Sequence, residues 1–274
     1  MLKDMLKNVR EKGPLVHCIT NYVTVNDCAN ILIACGGSPI MSDDISEVEE
    51  ITSICGGLNI NIGTLNKNTI PSMFLAGKKS NELNHPIILD PVGAGASKLR
   101  TDTANELLDK IKFTVIRGNI SEIKTLALGF GTTKGVDADI ADAITEESLD
   151  EIINFAKEFS EKTGSIIAIT GAIDIVCNDK NAYIIRNGHP MMSKITGSGC
   201  MLTAMTAAYL VANTENYLEA TAASVVAMGV AGELAHKKLE ETASGNSNYR
   251  NYLIDEIYNL TAEKLDGGAK FEVR

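Results

Sequence analysis

The strongest constraint on the fold is an alternation along the chain between short runs rich in β-branched residues and longer segments with apolar residues at helical spacing. Four runs, each followed by Gly, Pro or a polar residue, predict strands at residues 58–62, 86–89, 114–116 and 165–169. A typical helical segment, residues 149–159, follows two acidic residues and ends before Gly164. Alternation of this kind predicts βαβ units and a mostly parallel sheet covered by helices on both faces.

The last third of the chain follows a different pattern. Residues 173–176 and 182–185 are separated by a short polar turn and predict an antiparallel hairpin. After residue 200 the pattern is helical almost to the end, with many alanines that permit close helix packing. Because no linker, repeat or low-complexity stretch interrupts residues 1–274, we expect a single α/β domain over the whole chain.

Charge and cysteine content exclude several classes of protein. With 25 Lys and Arg against 35 Asp and Glu, the formal charge is −10, and no basic run marks a surface for nucleic acid or an anionic membrane. The six cysteines include no Cys-x-x-Cys pair, and with the four histidines they show no metal-ligand spacing. The amino terminus carries charges where a signal peptide needs apolar residues, and the apolar stretches 201–212 and 220–232 are too short to span a bilayer. We therefore expect a reduced, soluble, cytoplasmic protein.

Polar residues follow three of the predicted strands. Asp90, Arg117 and Thr170 come directly after residues 89, 116 and 169, and Glu122 lies shortly beyond Arg117. Ligands of open α/β sheets bind at the carboxyl ends of the strands, so these side chains are candidates for one site. Asp90 also fits a turn, and Glu122 fits the first turn of a helix equally well. Arg117 is harder to explain structurally, because a cation after a buried strand must find an anion.

The sharpest signal is the segment Thr196, Gly197, Ser198, Gly199 and Cys200, which precedes an apolar helix. Two glycines let the backbone turn tightly and expose its amide groups, and the helix that follows adds its positive end. The segment therefore predicts an anion site that suits a phosphate group. Cys200 is expected in the first turn of that helix, where the pKa of a thiol is lowered. A single Cys is nevertheless more often a small core residue than a reactive one.

Other motifs give weaker signals. The stretch from Gly129 to Gly135 is the nearest approach to a Walker phosphate loop, but its spacing is wrong, and no dinucleotide fingerprint follows the first strand. His17 lies in an apolar run and is interpreted as a core histidine rather than a general base. Met41 fits a core position and a pocket position equally well.

Taken together, these motifs resemble the ribokinase-like superfamily of small-molecule kinases and, within it, the hydroxyethylthiazole kinase family. The resemblance covers nearly the whole chain and rests on five segments in the correct order, residues 16–21, 36–41, 90–95, 117–122 and 196–200. It implies a ribokinase-like three-layer αβα sandwich with a mostly parallel central sheet. It also implies that the active sites of a homotrimer lie at subunit interfaces.

The resemblance assigns roles to individual residues. Asn119-x-x-Glu122 is similar to the magnesium-positioning motif of the superfamily, and Asp90 matches its other acidic position. Most superfamily members have Asp as the base where this chain has Cys200, and that Cys is the pattern of the thiazole kinases. The resemblance also implies that Arg117 and Thr170 contact ATP and that Met41 and Gly197 contact the thiazole. The amides of Gly197, Ser198 and Gly199 would bind the transferred phosphoryl group.

The implied reaction is transfer of the ATP γ-phosphoryl group to the hydroxyl of 4-methyl-5-(2-hydroxyethyl)thiazole, with Mg²⁺, in thiamine biosynthesis or salvage. The loose transition state of phosphoryl transfer depends mainly on positioning and charge neutralisation, so a thiol can replace a carboxylate base. The alternatives are a hydroxymethylpyrimidine kinase or an ATP-dependent dehydratase of hydrated nicotinamide nucleotides, both expected to carry Asp at position 200. Two further alternatives are weaker hypotheses. A non-catalytic nucleotide sensor would have little need of the acidic residues. A Cys-nucleophile hydrolase would need a His and an acidic residue beside Cys200, and the sequence suggests no such pair.

Overall fold

The central feature of the fold is one nine-stranded sheet. The computed structural model describes residues 2–129 and 144–274, and within them the strands lie in the order β2-β1-β3-β4-β5-β6-β7-β8-β9. The strands are β1 Leu15–Ile19, β2 Ser38–Met41, β3 Gly57–Asn61, β4 Ile87–Asp90, β5 Val115–Gly118, β6 Ile166–Ile169, β7 Asp174–Cys177, β8 Ala182–Ile185 and β9 Phe271–Val273. Strands β1 to β6 pair in parallel, and β6 to β9 pair antiparallel.

Helices cover both faces of this sheet. They are α1 Leu2–Lys12, α2 Val25–Cys35, α3 Val48–Ile54, α4 Thr69–Glu82, α5 Lys98–Lys110, α6 Ile120–Gly129, α7 Leu149–Thr163, α8 Ser198–Ala212, α9 Tyr217–Glu241, α10 Asn246–Tyr258 and α11 Ala262–Gly268. A short 3-10 helix spans Pro190–Lys194. Apolar residues of α1, α2 and α8 to α11 form one core, and those of α3 to α7 form the other.

The central strands are buried on both faces, which explains their continuous apolar runs. In β4, Ile88 belongs to the core beneath α8, whereas Ile87 and Leu89 belong to the opposite core. Successive side chains of a strand point to opposite faces, so both neighbours of a buried residue are also buried here. The arrangement is a three-layer αβα sandwich, as the sequence predicts.

The predicted strands are confirmed, with ends that differ by one or two residues, and so are the hairpin of β7 and β8 and the helix α7. Three further strands lack a clear sequence signal. β1 contains His17, β2 is an edge strand of four residues that contains Pro39, and β9 is only three residues long. Helices α8 to α11 confirm the expectation of helix almost to the chain end, and the short strand β9 follows α11. Residues 130–135 of the Walker-like stretch lie outside the described residues.

One helix of the described residues is long and apolar enough to cross a membrane. It is α9, and 83% of its most apolar window is buried inside the fold. It packs beside α8 and α10 as part of the core on that face. Its apolar character is therefore explained by its place in the core.

Candidate active site

Three adjacent strand ends bring polar side chains into one row. Asn61 ends β3 and is paired in register with Asp90, which ends β4. Arg117 lies one residue after the paired position Leu89↔Ile116, so it continues the row on β5. The alternation of the strands turns all three side chains toward the face covered by α8, whose first residue is Ser198. The sheet and the start of α8 thus enclose the candidate residues.

Asp90 is completely buried, and its two carboxylate oxygens have different surroundings. Oδ2 accepts hydrogen bonds from Asn61 Nδ2 at 3.0 Å and Thr203 Oγ1 at 2.8 Å, and it lies 3.6 Å from Arg117 Nη1. Oδ1 has no hydrogen-bond partner among the described residues. Burial raises the pKa of Asp90 to about 6, with a further rise from Glu122, against the opposing effects of Arg117, Thr203 and Asn61.

Arg117 connects the strand ends to the glycine motif. Its Nη2 donates a hydrogen bond to Thr170 Oγ1 at the end of β6. Its guanidinium also lies against Gly199, where an added Cβ would be 2.5 Å from Nη1. The second glycine of the motif therefore allows the cation to approach the backbone at the start of α8.

The glycine motif forms the amino-terminal cap of α8. Gly197 is the N-cap residue with a φ of +85°, a left-handed conformation that favours glycine. The backbone N–H of Met201 donates to Gly197 O at 2.8 Å, so the N–H groups of Ser198, Gly199 and Cys200 precede the first bond of this helix. These amides and the positive helix end make an anion site.

Cys200 lies in the first turn of α8, as predicted, but the expected direction of its pKa shift is wrong. Burial raises the pKa of the Cys200 thiol, and the nearby Asp90 carboxylate raises it further. The polar groups of Asn61, Thr24 and Asn21 near the sulfur oppose the rise, and Asn21 Nδ2 donates a hydrogen bond to Cys200 Sγ at 3.3 Å. The helix end does not overcome the loss of solvation, so the thiol form is favoured at neutral pH.

Glu122 and Asn119 cap α6 reciprocally. Asn119 Oδ1 accepts from the N–H of Glu122 at 2.8 Å, and Glu122 Oε2 accepts from the N–H of Asn119 at 2.8 Å. Glu122 Oε1 accepts a further bond from Gly93 N–H at 2.9 Å, in the loop after Asp90. The first-turn role considered for Glu122 is therefore present, and the same side chain ties the two acidic segments together.

Two cavities flank this row of residues. The larger, about 700 Å³, is lined by Arg117, Thr170, Ser198, Gly199 and Asn119 together with apolar residues of α8 and α9. The smaller, about 150 Å³, is lined by residues that include Met41, Ser42, Thr20 and Asn61. Gly197 packs against Thr24, where an added Cβ would lie 2.5 Å from Thr24 Cγ2. Asp90 lies between the cavities, with one neighbour in the lining of each.

Comparison with known proteins agrees with this geometry. The family model of the hydroxyethylthiazole kinase family matches residues 6–263. The chain is 68% identical over 272 residues to the hydroxyethylthiazole kinase of Clostridium acetobutylicum, covering 99% of each sequence. It is 55% identical to that of Clostridium tetani, covering 97% of this chain and 96% of the relative. The chain belongs to the hydroxyethylthiazole kinase family.

A solved structure of the same family has this fold. The hydroxyethylthiazole kinase of Pyrococcus horikoshii superposes with a TM-score of 0.88 at 34% identity, covering 100% of this chain and 98% of that chain. The ADP/ATP-dependent NAD(P)H-hydrate dehydratase of Bacillus subtilis superposes with a TM-score of 0.54 at 12% identity, covering 94% of this chain and 90% of that chain. The second match shows a shared ribokinase-like fold and nothing more specific.

For a member of a kinase family, the acidic residues must also suit a magnesium ion. Asp90 Oδ1 is a buried oxygen without a partner among the described residues, and a hard cation prefers such oxygen ligands. In residues 2–129 and 144–274, no three His, Cys, Asp or Glu side chains form a metal cluster. Mg²⁺ keeps several waters and is commonly held by one or two carboxylates plus phosphates. Asp90 fits that requirement, and Glu122 lies close enough to raise the pKa of Asp90.

The structure adds residues that the sequence reasoning missed and explains His17. Asn61 and Thr203 hold Asp90, and Asn21 contacts Cys200. Asn61 ends β3 in the structure but is the last residue but one of the predicted strand 58–62, so an argument from residues that follow a predicted strand does not select it. His17 is completely buried, with Nδ1 bonded to Thr52 Oγ1 and Nε2 to Ser42 O, both at 2.9 Å. The interpretation of His17 as a core histidine is confirmed.

Proposed function

We propose that this chain transfers the γ-phosphoryl group of ATP to the hydroxyl of 4-methyl-5-(2-hydroxyethyl)thiazole, in thiamine biosynthesis or salvage. One observation carries the proposal beyond family membership. A buried row of polar residues, from Arg117 through Asp90 to Asn61, joins a large cavity with an anion site to a small cavity at Met41. Such a junction can hold a nucleotide and a small alcohol on opposite sides of a transferred group.

The larger cavity supplies the features that ATP requires. Arg117 and Thr170 line it beside the amides of Ser198 and Gly199, so a polyphosphate there meets a cation, a hydroxyl and the positive end of α8. The apolar part of its wall, with Val225 and Met228 of α9, suits a nucleobase. This local positive field offsets the overall charge of −10.

The smaller cavity supplies a place for the thiazole alcohol. Met41 lines it, in agreement with its proposed contact with the thiazole, and its volume of about 150 Å³ suits a ring of that size. Gly197 is also proposed to contact the thiazole, from the turn that precedes Cys200. The acceptor hydroxyl would then face the start of α8.

Cys200 is the proposed base for the acceptor hydroxyl. Because its pKa is raised, only a minority of molecules carry the thiolate at neutral pH, and this minority would accept the proton. The loose transition state needs proton removal only late, so a weakly populated base is compatible with phosphoryl transfer. The amides of Gly197, Ser198 and Gly199 are proposed to bind the phosphoryl oxygens.

Asp90 and Glu122 are the proposed partners of magnesium. A bound Mg²⁺ would neutralise charge on the phosphates. Asp90 offers its unpartnered Oδ1, and Glu122, already bonded to the amides of Gly93 and Asn119, holds the loop beside it in place. Arg117 pairs with the other oxygen of Asp90, which leaves Oδ1 for the cation.

We also propose a homotrimer of single-domain subunits in the cytoplasm. One sheet includes strands from Leu15 to Val273, which supports a single domain over residues 1–274. The elements around the edge strand β2 expose five large apolar residues, Tyr22, Val23, Ile33, Ile45 and Ile54. Exposed apolar groups of this kind mark protein interfaces, and one of them, Tyr22, lines the smaller cavity. We expect neither nucleic acid nor membrane as a partner.

The alternative functions predict a different acceptor of the phosphoryl group, or no acceptor at all. A hydroxymethylpyrimidine kinase or a hydrated-nicotinamide-nucleotide dehydratase is expected to have Asp rather than Cys200. A non-catalytic sensor has no need of the paired acidic segments that Glu122 joins.

The proposal is tested by ADP release in a coupled assay, with the thiazole alcohol, pyridoxal and hydroxymethylpyrimidine supplied in parallel. We expect the highest kcat/KM for the thiazole alcohol. A higher value for another alcohol would reject the thiazole and keep the kinase class. ATP binding without transfer to any of the three would favour the sensor.

A further inference from the structure

The side chain of Asn61 is held in one orientation at the seam between the two cavities. Its Nδ2 donates to Asp90 Oδ2 at 3.0 Å. Its Oδ1 accepts from Asn21 Nδ2 at 3.1 Å and from Gly63 N–H at 2.9 Å. A flipped amide would place a donor against two donors and an acceptor against a carboxylate. The orientation is therefore determined by its neighbours.

Asn21 extends the same chain of hydrogen bonds to Cys200. Its Nδ2 donates both to Asn61 Oδ1 and to Cys200 Sγ, the latter at 3.3 Å. Its Oδ1 accepts from the N–H of Thr24 at 3.2 Å and from Thr24 Oγ1 at 3.0 Å, so this amide is fixed as well. The chain runs from the carboxylate proposed to hold magnesium to the thiol proposed as base, through two oriented amides.

Asn61 also selects which oxygen of Asp90 is free. Asn61 and Thr203 both donate to Oδ2, and Arg117 lies beside the same oxygen. Oδ1 has no partner in the described part of the chain. Without the donor from Asn61, the carboxylate loses one of the two hydrogen bonds that fix its rotation.

Only an amide satisfies this position. An apolar residue of the same size would leave both Asp90 and Asn21 without a partner, and a carboxylate would face Asp90 Oδ2 with a like charge. Asn61 is 1% exposed, so water cannot replace the lost hydrogen bonds readily. The position therefore requires a donor at one end and an acceptor at the other.

We propose that Asn61 is a positioning residue for phosphoryl transfer, which holds Asp90 with Oδ1 free and, through Asn21, holds the sulfur of Cys200 on the acceptor side. The inference rests on the proposed kinase function. Asn61 acts through its neighbours, so its loss lowers kcat while the KM for the thiazole alcohol changes little. A residue that only bound the acceptor would instead raise the acceptor KM.

The chain offers a matched control two residues earlier. Asn59 lies on the same strand and the same face and is completely buried, but its amide lies beside the Cys18 thiol and hydrogen-bonds neither Asp90 nor Asn21. Asn59→Leu and Asn61→Leu therefore make the same chemical change at neighbouring buried positions. A general effect of an apolar residue in β3 would appear in both variants.

The experiment compares kcat, both KM values, and ATP affinity with and without Mg²⁺ in the two variants. For Asn61→Leu we expect kcat to fall roughly 10-fold or more, with the KM for the thiazole alcohol within about twofold of wild type. The gain in ATP affinity on adding Mg²⁺ should also shrink, by about threefold or more, because Asp90 is no longer held. Asn59→Leu should leave kcat within about twofold.

Asn61→Asp provides a second variant that keeps the size and the acceptor for Gly63. It removes the donor to Asp90, so the same loss of kcat and of magnesium dependence is expected. A kcat within about threefold of wild type in a folded Asn61 variant would overturn the proposal, as would a rise in acceptor KM with kcat unchanged. If the wild type fails to phosphorylate the thiazole alcohol, the proposed function fails, whereas the effect of Asn61 on magnesium-dependent ATP affinity is still measured.

Discussion

The thiol of Cys200 shows how a local rule is outweighed by its surroundings. At the first turn of a helix, the dipole alone lowers the pKa of a thiol. Here the sulfur is partly buried and lies near the Asp90 carboxylate, so its pKa is raised. The donors that surround it, including Asn21, stabilise the thiolate without reversing that effect. The sequence could place Cys200 in the helix but could not predict how deeply it is buried.

The raised pKa leads to a prediction about the pH dependence of turnover. If Cys200 is the base, kcat should increase from pH 6.5 to 9 as the thiolate fraction increases. Cys200→Ala should lower kcat by roughly 10²-fold and lose this increase, as measured by kcat profiles at saturating substrates. Cys200→Asp should keep substantial activity and show its increase at lower pH, because a carboxyl group ionises before a thiol.

The two variants control for each other. Both remove the thiol, and only one restores a base. Turnover in Cys200→Ala equal to that of the wild type would exclude the base role, and a folded, ATP-binding but inactive Cys200→Asp would contradict the correspondence with the superfamily's Asp.

At the same scale, the candidate site was only partly predictable. Asp90, Arg117 and Thr170 could be selected because they directly follow β-rich runs, and the structure brings them together. A hydrogen bond to Asp90 Oδ2 comes from Thr203, which is 113 residues away in sequence. No local pattern predicts a hydrogen bond of that range, because it depends on how α8 lies across the strand ends.

At the scale of elements, the start of α8 depends on a small residue at position 199. An added Cβ at Gly199 would lie 2.5 Å from Arg117 Nη1 and 2.9 Å from Nη2. The guanidinium is the far end of a flexible side chain and can move away, so the helix itself need not unfold. The consequence is that Arg117 would leave Thr170 and the phosphate site.

We therefore predict that Gly199→Ala raises the KM for ATP by roughly 10-fold, because a charged hydrogen-bond donor is displaced. Thermal stability should be retained, since Ala is favoured over Gly within a helix by about 1 kcal/mol. Steady-state kinetics and calorimetry measure the two effects.

Gly267→Ala in α11 is the control, because an added Cβ there meets no atom within 4 Å. It should leave the KM for ATP unchanged. An unchanged KM in Gly199→Ala would mean that the close approach of Arg117 to the helix start has no part in ATP binding.

The strands also show what periodicity can and cannot predict. β3 to β6 are central, buried on both faces and rich in β-branched residues, so composition alone indicates them. β2 lies at an edge, is only partly buried and contains Pro39. Such a strand is defined by its pairing with β1 rather than by its own composition.

At the scale of the whole molecule, the sequence predicted a parallel sheet but not the order of its strands. β1 lies between β2 and β3, and three antiparallel strands extend the other edge. The last of these, Phe271–Val273, pairs with β8 and adds the chain end to the sheet. Pairing between distant segments depends on packing across the whole domain, which periodicity within one segment does not contain.

The pH dependence of folding stability is a property of the whole molecule that follows from two carboxyl groups. Burial raises the pKa of Asp90 to about 6 and that of Asp174 to about 7, from an ordinary value of 3.8. Asp174 lies at the start of β7, where Oδ1 accepts from Gly171 N–H at 2.8 Å. Between about pH 4 and pH 7 the folded protein therefore binds more protons at these groups than the unfolded chain does. The stability they contribute is fully present below the unfolded pKa and is lost as pH rises through the folded values.

Asp174→Asn isolates this contribution, because an amide oxygen still accepts from Gly171 N–H but does not ionise. Urea unfolding of the nucleotide-free protein at pH 5 and pH 8 should show that the wild type loses more free energy of unfolding over this interval than the variant does. The expected difference is about 1 kcal/mol or more, since one pKa unit corresponds to about 1.4 kcal/mol. Effects of the other carboxylates are common to both proteins and cancel in the comparison. The opposite result is a difference in unfolding free energy between the two proteins that is the same at both pH values. Asp174 would then have the same pKa in the folded and unfolded chains, and its burial in the wall of the larger cavity would not raise that pKa.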